Sequence, residues 1–313
     1  MTTQQDTAPD RLRALRRTGR LVLRRVQPIF WIGPAVALIG VVVLWPVVVM
    51  VKTSFQHIIT GGIMLGSRGW GNYQDLFNEP GLESILIRTV VWVVVVVAVT
   101  MFLSLFIAQL FNEHFPARRV ARWALIVPWA ASVMMTALIF RWALDANSGV
   151  VNVFLHDLGL VNFNSNEADW LGRPWSAFVW MMIVAVFVSL PFSTYAILAG
   201  LQAIPSDVYE AARVDGAGTW QRYFSITLPL LRPSLIVAAL INVINVFNNF
   251  PIIWEMTRGG PGYETATTTV FMYQLKSSFL GESAAMSVIN FGLVILLVLL
   301  FLRATRWREA VSQ

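Results

Sequence analysis

The sequence predicts an all-α membrane protein with six transmembrane helices, both termini in the cytoplasm, and a short cytoplasmic helix between helices 4 and 5. Two observations predict this class. Hydrophobic residues make up 57% of the 313 residues and charged residues only 13%, which lies outside the usual composition of a soluble domain. The apolar residues also fall into six long runs, and about 20 such residues are needed to cross a bilayer as a helix.

The predicted spans follow from these runs in order. Every backbone amide inside a bilayer must find its partner within the segment, so each run is expected to be helical. Long apolar runs, rather than an alternation over about ten residues, also exclude a transmembrane β-barrel. The spans are expected at residues 28 to 51, 85 to 111, 120 to 143, 175 to 201, 231 to 254 and 284 to 303.

Seven arginines precede the first span. A basic stretch before an apolar run is also typical of a signal peptide, but this run is too long and lacks a small-residue cleavage site. We therefore expect a retained first helix. Residues 1 to 27 are predicted to form a basic cytoplasmic tail, and residues 28 to 313 a single membrane domain.

Basic residues set the predicted orientation, because Lys and Arg stay on the cytoplasmic side of short loops. Most of the 23 Lys and Arg residues lie on the side that holds both termini, including Arg118, Arg119 and Arg122 between the second and third spans. The net charge of +6 therefore indicates orientation in, and contact with, the lipid membrane. It gives no reason to expect a nucleic-acid partner.

The outer loop between the third and fourth spans contains turn-forming residues. Asn147-Ser148-Gly149 predicts a turn, and a short helix is expected after it, over residues 150 to 158.

A polar segment that contains glycines lies between the fourth and fifth spans, at about residues 205 to 229. Asp207 is the expected N-cap of a short helix, and Glu210 three residues later completes a pair similar to a capping box. The helix is predicted over residues 207 to 214, with a break at Gly216. On physical grounds alone, an ordinary interfacial amphipathic loop remains the alternative.

This segment carries a motif that resembles the EAA motif in membrane subunits of binding-protein-dependent ABC importers. The resemblance implies a coupling helix that docks into a cleft of a separate ATP-binding subunit and transmits its movement to the membrane helices. It also implies that Glu210 contacts a basic group of that subunit, that Gly216 forms the turn, and that Ala211 and Ala212 enter the cleft. The matching residues are Glu210-Ala211-Ala212, Asp215-Gly216-Ala217, Ile226, Leu228-Pro229 and Pro233.

A second set of residues is similar to carbohydrate importers of this family, in particular to the first membrane subunit of the maltose transporter. The resemblance implies a permease in the bacterial inner membrane that imports a di- or oligosaccharide. The implied partners are a second permease that completes a heterodimer, two ATP-binding subunits and an extracytoplasmic sugar-binding protein. ATP and Mg would bind to the ATPase, with no cofactor on this chain. The matching residues are Phe247-Asn248-Asn249-Phe250, Thr257-Arg258-Gly259-Gly260-Pro261 and Thr265.

Three asparagines in the fifth span follow a helical spacing. Asn242, Asn245 and Asn249 stand at positions i, i+3 and i+7, which predicts one shared helix face. Amides in a bilayer need partners or water, so this face either bonds to other helices or binds sugar hydroxyls. The resemblance places Asn249 at a substrate-contacting position and Asn242 and Asn245 near others.

The fourth span is predicted to form the opposing wall. Pro191 interrupts the hydrogen-bond ladder near its middle and can open a kink. By resemblance, Val188, Ser189 and Phe192 fall on sugar-contacting positions. A kink that only shapes packing remains equally open.

Several kinds of catalytic site are missing from the sequence. The two lysines, Lys52 and Lys276, do not stand in a phosphate-binding loop, so ATP hydrolysis is expected on another polypeptide. The three histidines lack metal-ligand spacing, and the chain contains no cysteine. We therefore expect neither catalytic residues nor a metal site, and the chain is not predicted to be an enzyme.

An ion-coupled secondary transporter of a small polar solute is the alternative function, because six helices with polar residues in mid-membrane also suit such carriers. A carrier usually has an ionisable residue in mid-span, whereas the charges here lie at helix ends. This difference favours the ATP-driven importer.

Overall fold

The computed structural model describes residues 31 to 59, 62 to 159 and 168 to 305. The predicted basic tail, residues 1 to 27, lies outside these ranges. The chain is mostly helical, with one small hairpin. In chain order the elements are α1 (Trp31–Ser54), β1 (Gln56–Ile59), β2 (Ile63–Ser67), α2 (Gly71–Phe77), α3 (Leu82–Asn112), α4 (Arg118–Ala130), α5 (Val133–Ala143), α6 (Val150–Asp157), α7 (Pro174–Gln202), α8 (Ser206–Val214), α9 (Thr219–Arg222), α10 (Leu228–Phe247), α11 (Phe250–Thr257), α12 (Thr268–Leu275) and α13 (Leu280–Ala304).

Five helical segments of the described ranges are long and apolar enough to cross a membrane. Four of them correspond to α1, α3, α7 and α13, and α1 contains a π-helical turn at Gly40–Leu44. The fifth runs over Thr219–Thr257, where a π-helical turn at Tyr223–Thr227 joins α9 to α10. These segments correspond to five of the six predicted spans.

The prediction of an unbroken third span over residues 120 to 143 is wrong. This stretch forms two helices, α4 with 13 residues and α5 with 11. Ala131 is extended, with φ −86° and ψ 147°, and the Ser132 hydroxyl caps α5 by accepting the Met135 N–H at 3.2 Å. The length of the apolar run did not reveal this break, although Ser132 inside the run is a residue type that favours the N-cap position.

The predicted fifth span, residues 231 to 254, is interrupted at its outer end. Helix α10 ends at Phe247, and Asn249 has φ −79° and ψ 71°, outside the helical region. Helical register is therefore lost after Asn249, and the predicted face of Asn242, Asn245 and Asn249 ends at this break.

Helices α3, α7 and α10 form the centre of the packing. The rings of Trp92 and Phe178 lie 5.8 Å apart, and Ser104 Oγ donates to the Leu190 carbonyl at 3.5 Å, so α3 and α7 run parallel. The Trp92 indole N–H donates to the carbonyl of Val246 on α10 at 3.0 Å. Buried residues on α3 recur every three or four positions, which places one helical face against both neighbours.

The loops on the side of the molecule opposite α8 have their own structure. The β1–β2 hairpin is antiparallel and bulged between His57 and Ile58, and the Asn72 amide anchors it by donating to the carbonyls of Ser54 and Gln56 at 2.8 and 2.9 Å. The sequence did not predict this hairpin. Its strands are only four and five residues long and lack a clear alternation of polar and apolar residues.

The predicted turn and short helix after α5 are both present, and α6 matches the expected range. The Asp145 carboxylate accepts the backbone N–H groups of Asn147 and Ser148 at 3.1 and 2.9 Å and the Ser148 hydroxyl at 2.9 Å. The hydrogen bonds from Ser148, followed by that from Asn147, lower the pKa of Asp145 below its usual value. The carboxylate therefore stays charged and organises the turn.

Candidate functional site

Helix α8 lies where the short cytoplasmic helix was predicted, but it begins one residue earlier. Pro205 occupies the N-cap position, with extended φ −60° and ψ 141°, and no side chain caps the helix. Asp207 therefore stands in the first turn, where its carboxylate faces the positive end of the helix dipole. The predicted capping role of Asp207 is corrected.

The end of α8 is a Schellman motif. Gly216 has φ +77°, its N–H donates to the Arg213 carbonyl at 3.1 Å, and the Ala217 N–H donates to the Ala212 carbonyl at 2.9 Å. An added Cβ on Gly216 would meet no atom within 4 Å. Glycine is therefore favoured there by backbone conformation and not by space.

The predicted coupling residues differ in exposure. Glu210, Ala211, Asp215 and Gly216 are exposed. Ala212 is only 5% exposed because it packs inside the chain. A partner could therefore reach Ala211 directly, but not Ala212.

The predicted coupling segment, residues 205 to 229, also presents apolar surface that the sequence analysis did not predict. Val214 is 88% exposed, Trp220 76% and Phe224 57%, and the last two rings stack at 6.0 Å. The Thr227 hydroxyl donates to the Tyr209 hydroxyl at 3.3 Å, which ties α8 to the start of α10. Trp220 and Phe224 stand at the start of the apolar segment Thr219–Thr257, and exposed apolar side chains of this size are typical of a surface that contacts a partner or lipid.

The candidate sugar residues on α7 lie along a continuous helix. Val188, Ser189 and Phe192 are half-buried, and Pro191 is buried. Helix α7 continues through Pro191 from residue 174 to 202. Pro191 therefore does not end the helix of the fourth span.

The three candidate asparagines, two on α10 and one at the break that follows it, have different surroundings. Asn242 is only 2% exposed, and its Nδ2 finds no hydrogen-bond partner among the described residues. Asn245 is exposed. Asn249 is half-buried at the end of the break, and its Oδ1 is also unpaired within the described part of the chain.

The two walls meet in one cluster, since Val188 of α7, Val243 of α10 and Phe250 of α11 pack against the same core. Three further hydroxyl groups, those of Thr100, Ser193 and Thr194, are buried on α3 and α7 without a partner in the described ranges. No periodic pattern in the sequence predicted these three hydroxyl groups. The contact between these helices is thus richer in unpaired polar atoms than the predicted residues alone suggest.

Metal-ligating side chains do not converge in the described ranges, since no group of three His, Asp or Glu residues comes close enough to hold an ion. The chemistry available in the candidate site is therefore hydrogen bonding by amides and hydroxyls, together with aromatic contact.

A model of a known protein family matches the part of the chain that holds the candidate site. The model described as "Binding-protein-dependent transport system inner membrane component" matches residues 100–309. The match includes α7, α8 and α10.

Two relatives show the extent of the similarity. The chain is 38% identical over 287 residues to a probable ABC transporter permease protein of Brucella suis biovar 1 (strain 1330), covering 91% of this chain and 98% of that protein. It is also 38% identical over 224 residues to the trehalose/maltose transport system permease protein of Thermococcus litoralis, covering 71% and 74%.

The fold is similar to that of a chain in the crystal structure of a bacterial alginate ABC transporter in complex with its alginate pentasaccharide-bound periplasmic protein. The TM-score is 0.77 with 20% sequence identity, over 91% of this chain and 96% of the other. At this identity the likeness concerns the fold alone.

Proposed function

The chain belongs to the family of binding-protein-dependent transport system inner membrane components, as a permease subunit of a sugar ABC transporter, and from this premise we propose that it forms half of an ATP-driven pathway for a di- or oligosaccharide. The other half is a second permease. Two ATP-binding subunits and an extracytoplasmic sugar-binding protein complete the importer. ATP and Mg bind to the ATPase and not to this chain.

The exposed end of α8 is the observation that carries the proposal. Glu210 and Ala211 face outward, next to the 88% exposed Val214, so a carboxylate and apolar atoms are available to one partner. A Glu that enters a cleft of the ATPase needs a basic partner there, since an unpaired carboxylate would be costly to bury. Movement of that cleft would pass through the Tyr209–Thr227 contact into α10.

The pathway is proposed to run beside the two helix breaks. Ala131, Ser132 and Asn248 are exposed in this chain, and non-helical backbone at membrane depth is tolerated only where protein covers it or water reaches it. A second permease facing these breaks would enclose a water-filled route. Asn245, Asn249, Ser189, Phe192 and Val188 are the proposed sugar contacts, with Asn242 behind them.

The relative from Thermococcus litoralis is named for trehalose and maltose. Both are neutral disaccharides, and amides with one aromatic ring suit such a ligand. We therefore extend this substrate class to the present chain.

A pull-down from native membranes in mild detergent tests the assembly. The tagged chain is expected to recover an ATP-binding subunit and a second permease. Replacing Glu210-Ala211-Ala212 is expected to lose the ATPase and keep the second permease. Recovery of the chain alone, under conditions that preserve other complexes, would contradict the proposal.

The variant Glu210→Lys tests coupling. It should remain in the membrane but lose at least about tenfold in ATP-dependent uptake, because reversing the charge places like charges in contact. Glu113→Lys is the matched control: Glu113 is an exposed carboxylate at the end of α3, on the same side of the molecule as α8. Uptake that survives ATP depletion and collapses with the proton gradient would instead favour an ion-coupled carrier.

A further inference from the structure

An aromatic cluster follows directly after the second helix break. It consists of Phe250 and Trp254 on α11 and Tyr273 on α12. The Phe250 and Trp254 rings stack at 5.4 Å and 18°, and Tyr273 lies 4.9 Å from the first and 4.8 Å from the second. Chain direction places this aromatic cluster beyond the break, on the side away from α8.

The aromatic cluster is open on one side. Tyr273 is 43% exposed, and Phe250 and Trp254 are only partly buried where they pack against the core. The Lys276 ammonium lies 5.7 Å from the centre of the Tyr273 ring. The single chain therefore leaves one side of the aromatic cluster uncovered, where the face of a ring can contact another molecule.

An unpaired polar atom next to Phe250 in the chain indicates the chemical class of the ligand. Asn249 immediately precedes Phe250, and its buried Oδ1 lacks a donor among the described residues. An unpaired buried acceptor is costly unless a ligand or water supplies a donor. A sugar hydroxyl supplies one, while the C–H groups on the face of a pyranose ring carry partial positive charge and match the negative face of an aromatic ring.

We propose that Phe250, Trp254 and Tyr273, with Lys276 at the rim, form an outer subsite for a pyranose ring, occupied before the sugar reaches Asn249 and α7. The ligand class rests on the proposed function. The subsite is distinct from the predicted contacts on α7 and α10. A disaccharide could contact the aromatic cluster with one ring while the other approaches the Asn249 amide.

Thiol protection tests the subsite, because the chain contains no cysteine and an introduced cysteine is therefore its single thiol. Lys276→Cys places a single thiol of this chain at the rim. Lys52→Cys is the matched control, since Lys52 is exposed in the last turn of α1. Each variant is assembled with its co-purifying subunits in lipid nanodiscs and treated with a charged methanethiosulfonate, without sugar and with millimolar maltose, trehalose or maltotriose.

At least one sugar is expected to slow modification of Lys276→Cys by about threefold to tenfold, as follows when its concentration is several times its dissociation constant, and to leave Lys52→Cys unchanged. Adding Trp254→Ala should abolish this protection, whereas Trp254→Phe should keep it. Trp142→Ala on α5, where Trp142 is 63% exposed, should also keep it.

Equal modification of Lys276→Cys with and without all three sugars would overturn the subsite, as would protection that survives Trp254→Ala. Uptake of the same sugars, measured in parallel, separates this result from the proposed function. Protection without uptake would support the subsite and count against transport, while uptake without protection would support transport and reject the subsite.

Discussion

At residue 216 the backbone turns with φ +77°, and this one torsion ends helix α8. The carbonyls of Ala212 and Arg213 are satisfied only because the next two N–H groups turn back toward them. The position of Glu210 and Val214 relative to α10 depends on this turn. The identity of residue 216 therefore controls where α8 ends through the backbone.

Gly216→Ala should weaken that turn by about 1 to 2 kcal/mol, because an L side chain disfavours the left-handed region. ATP-dependent uptake is expected to fall severalfold. Gly216→Asn is the matched control, since asparagine tolerates this conformation and open space surrounds the position. The measurement is uptake at equal amounts of membrane-inserted chain, and equal activity of both variants would show that the turn is not limiting.

At the level of single residues, the sequence predicted α8 and the turn at Gly216 because helix-ending and turn preferences are local, but it placed the N-cap at Asp207 and not at Pro205. It did not predict that Ala212 is buried or that Trp220 and Phe224 stack in the open. Those properties depend on how α8 lies against the start of α10, which local sequence does not encode.

At the scale of elements, α7 and α10 approach closely near the coupling segment. A Cβ on Gly200 of α7 would lie 2.5 Å from Ser234 Cβ and 2.8 Å from Leu231 Cδ1 of α10. Small residues let membrane helices approach in this way. The contact joins the helix that precedes α8 to the one that follows it, so both ends of the coupling segment are held together.

Gly200→Val should force α7 and α10 apart and destabilise the chain by about 1 to 3 kcal/mol, the usual cost of overpacking. Thermal unfolding of the purified complex in detergent measures this loss of stability. We also expect the ATPase activity of the complex no longer to respond to substrate. Gly292→Val on α13 is the control, because an added Cβ there meets no atom within 4 Å. Equal midpoints for both variants would contradict the close-contact interpretation.

At the scale of the whole molecule, exposed residues stand at breaks in two different helices. One break lies between α4 and α5 and the other between α10 and α11, and Ala131 and Asn248 are the exposed residues. Non-helical backbone at membrane depth is tolerated only where protein covers it or water reaches it. Under the proposed function, both breaks should therefore face one water-filled path, closed on its other side by the second permease.

Single-cysteine variants test this arrangement. Ala131→Cys and Asn248→Cys in the assembled importer should react with a membrane-impermeant thiol reagent about tenfold faster than Ile295→Cys, since a thiol in hydrocarbon is not ionised. Ile295 is 44% exposed on the membrane-spanning α13 and serves as the control. Protection of both break positions in every nucleotide state would place protein, and not water, against the breaks.

The sequence by itself determined the mostly helical membrane class, five of the six spans, the short helix α8 and the family. Apolar run length and a contiguous motif carry these features, and both survive without tertiary information. Only the tertiary structure decided that the third span is two helices, that the fifth span breaks at Asn249, and that three aromatic rings meet beyond the break. A helix break changes the torsions of one or two residues, so hydropathy averaged over about 20 positions does not detect it. Such a break is stable only where neighbouring protein or water supplies hydrogen-bond partners to its backbone groups.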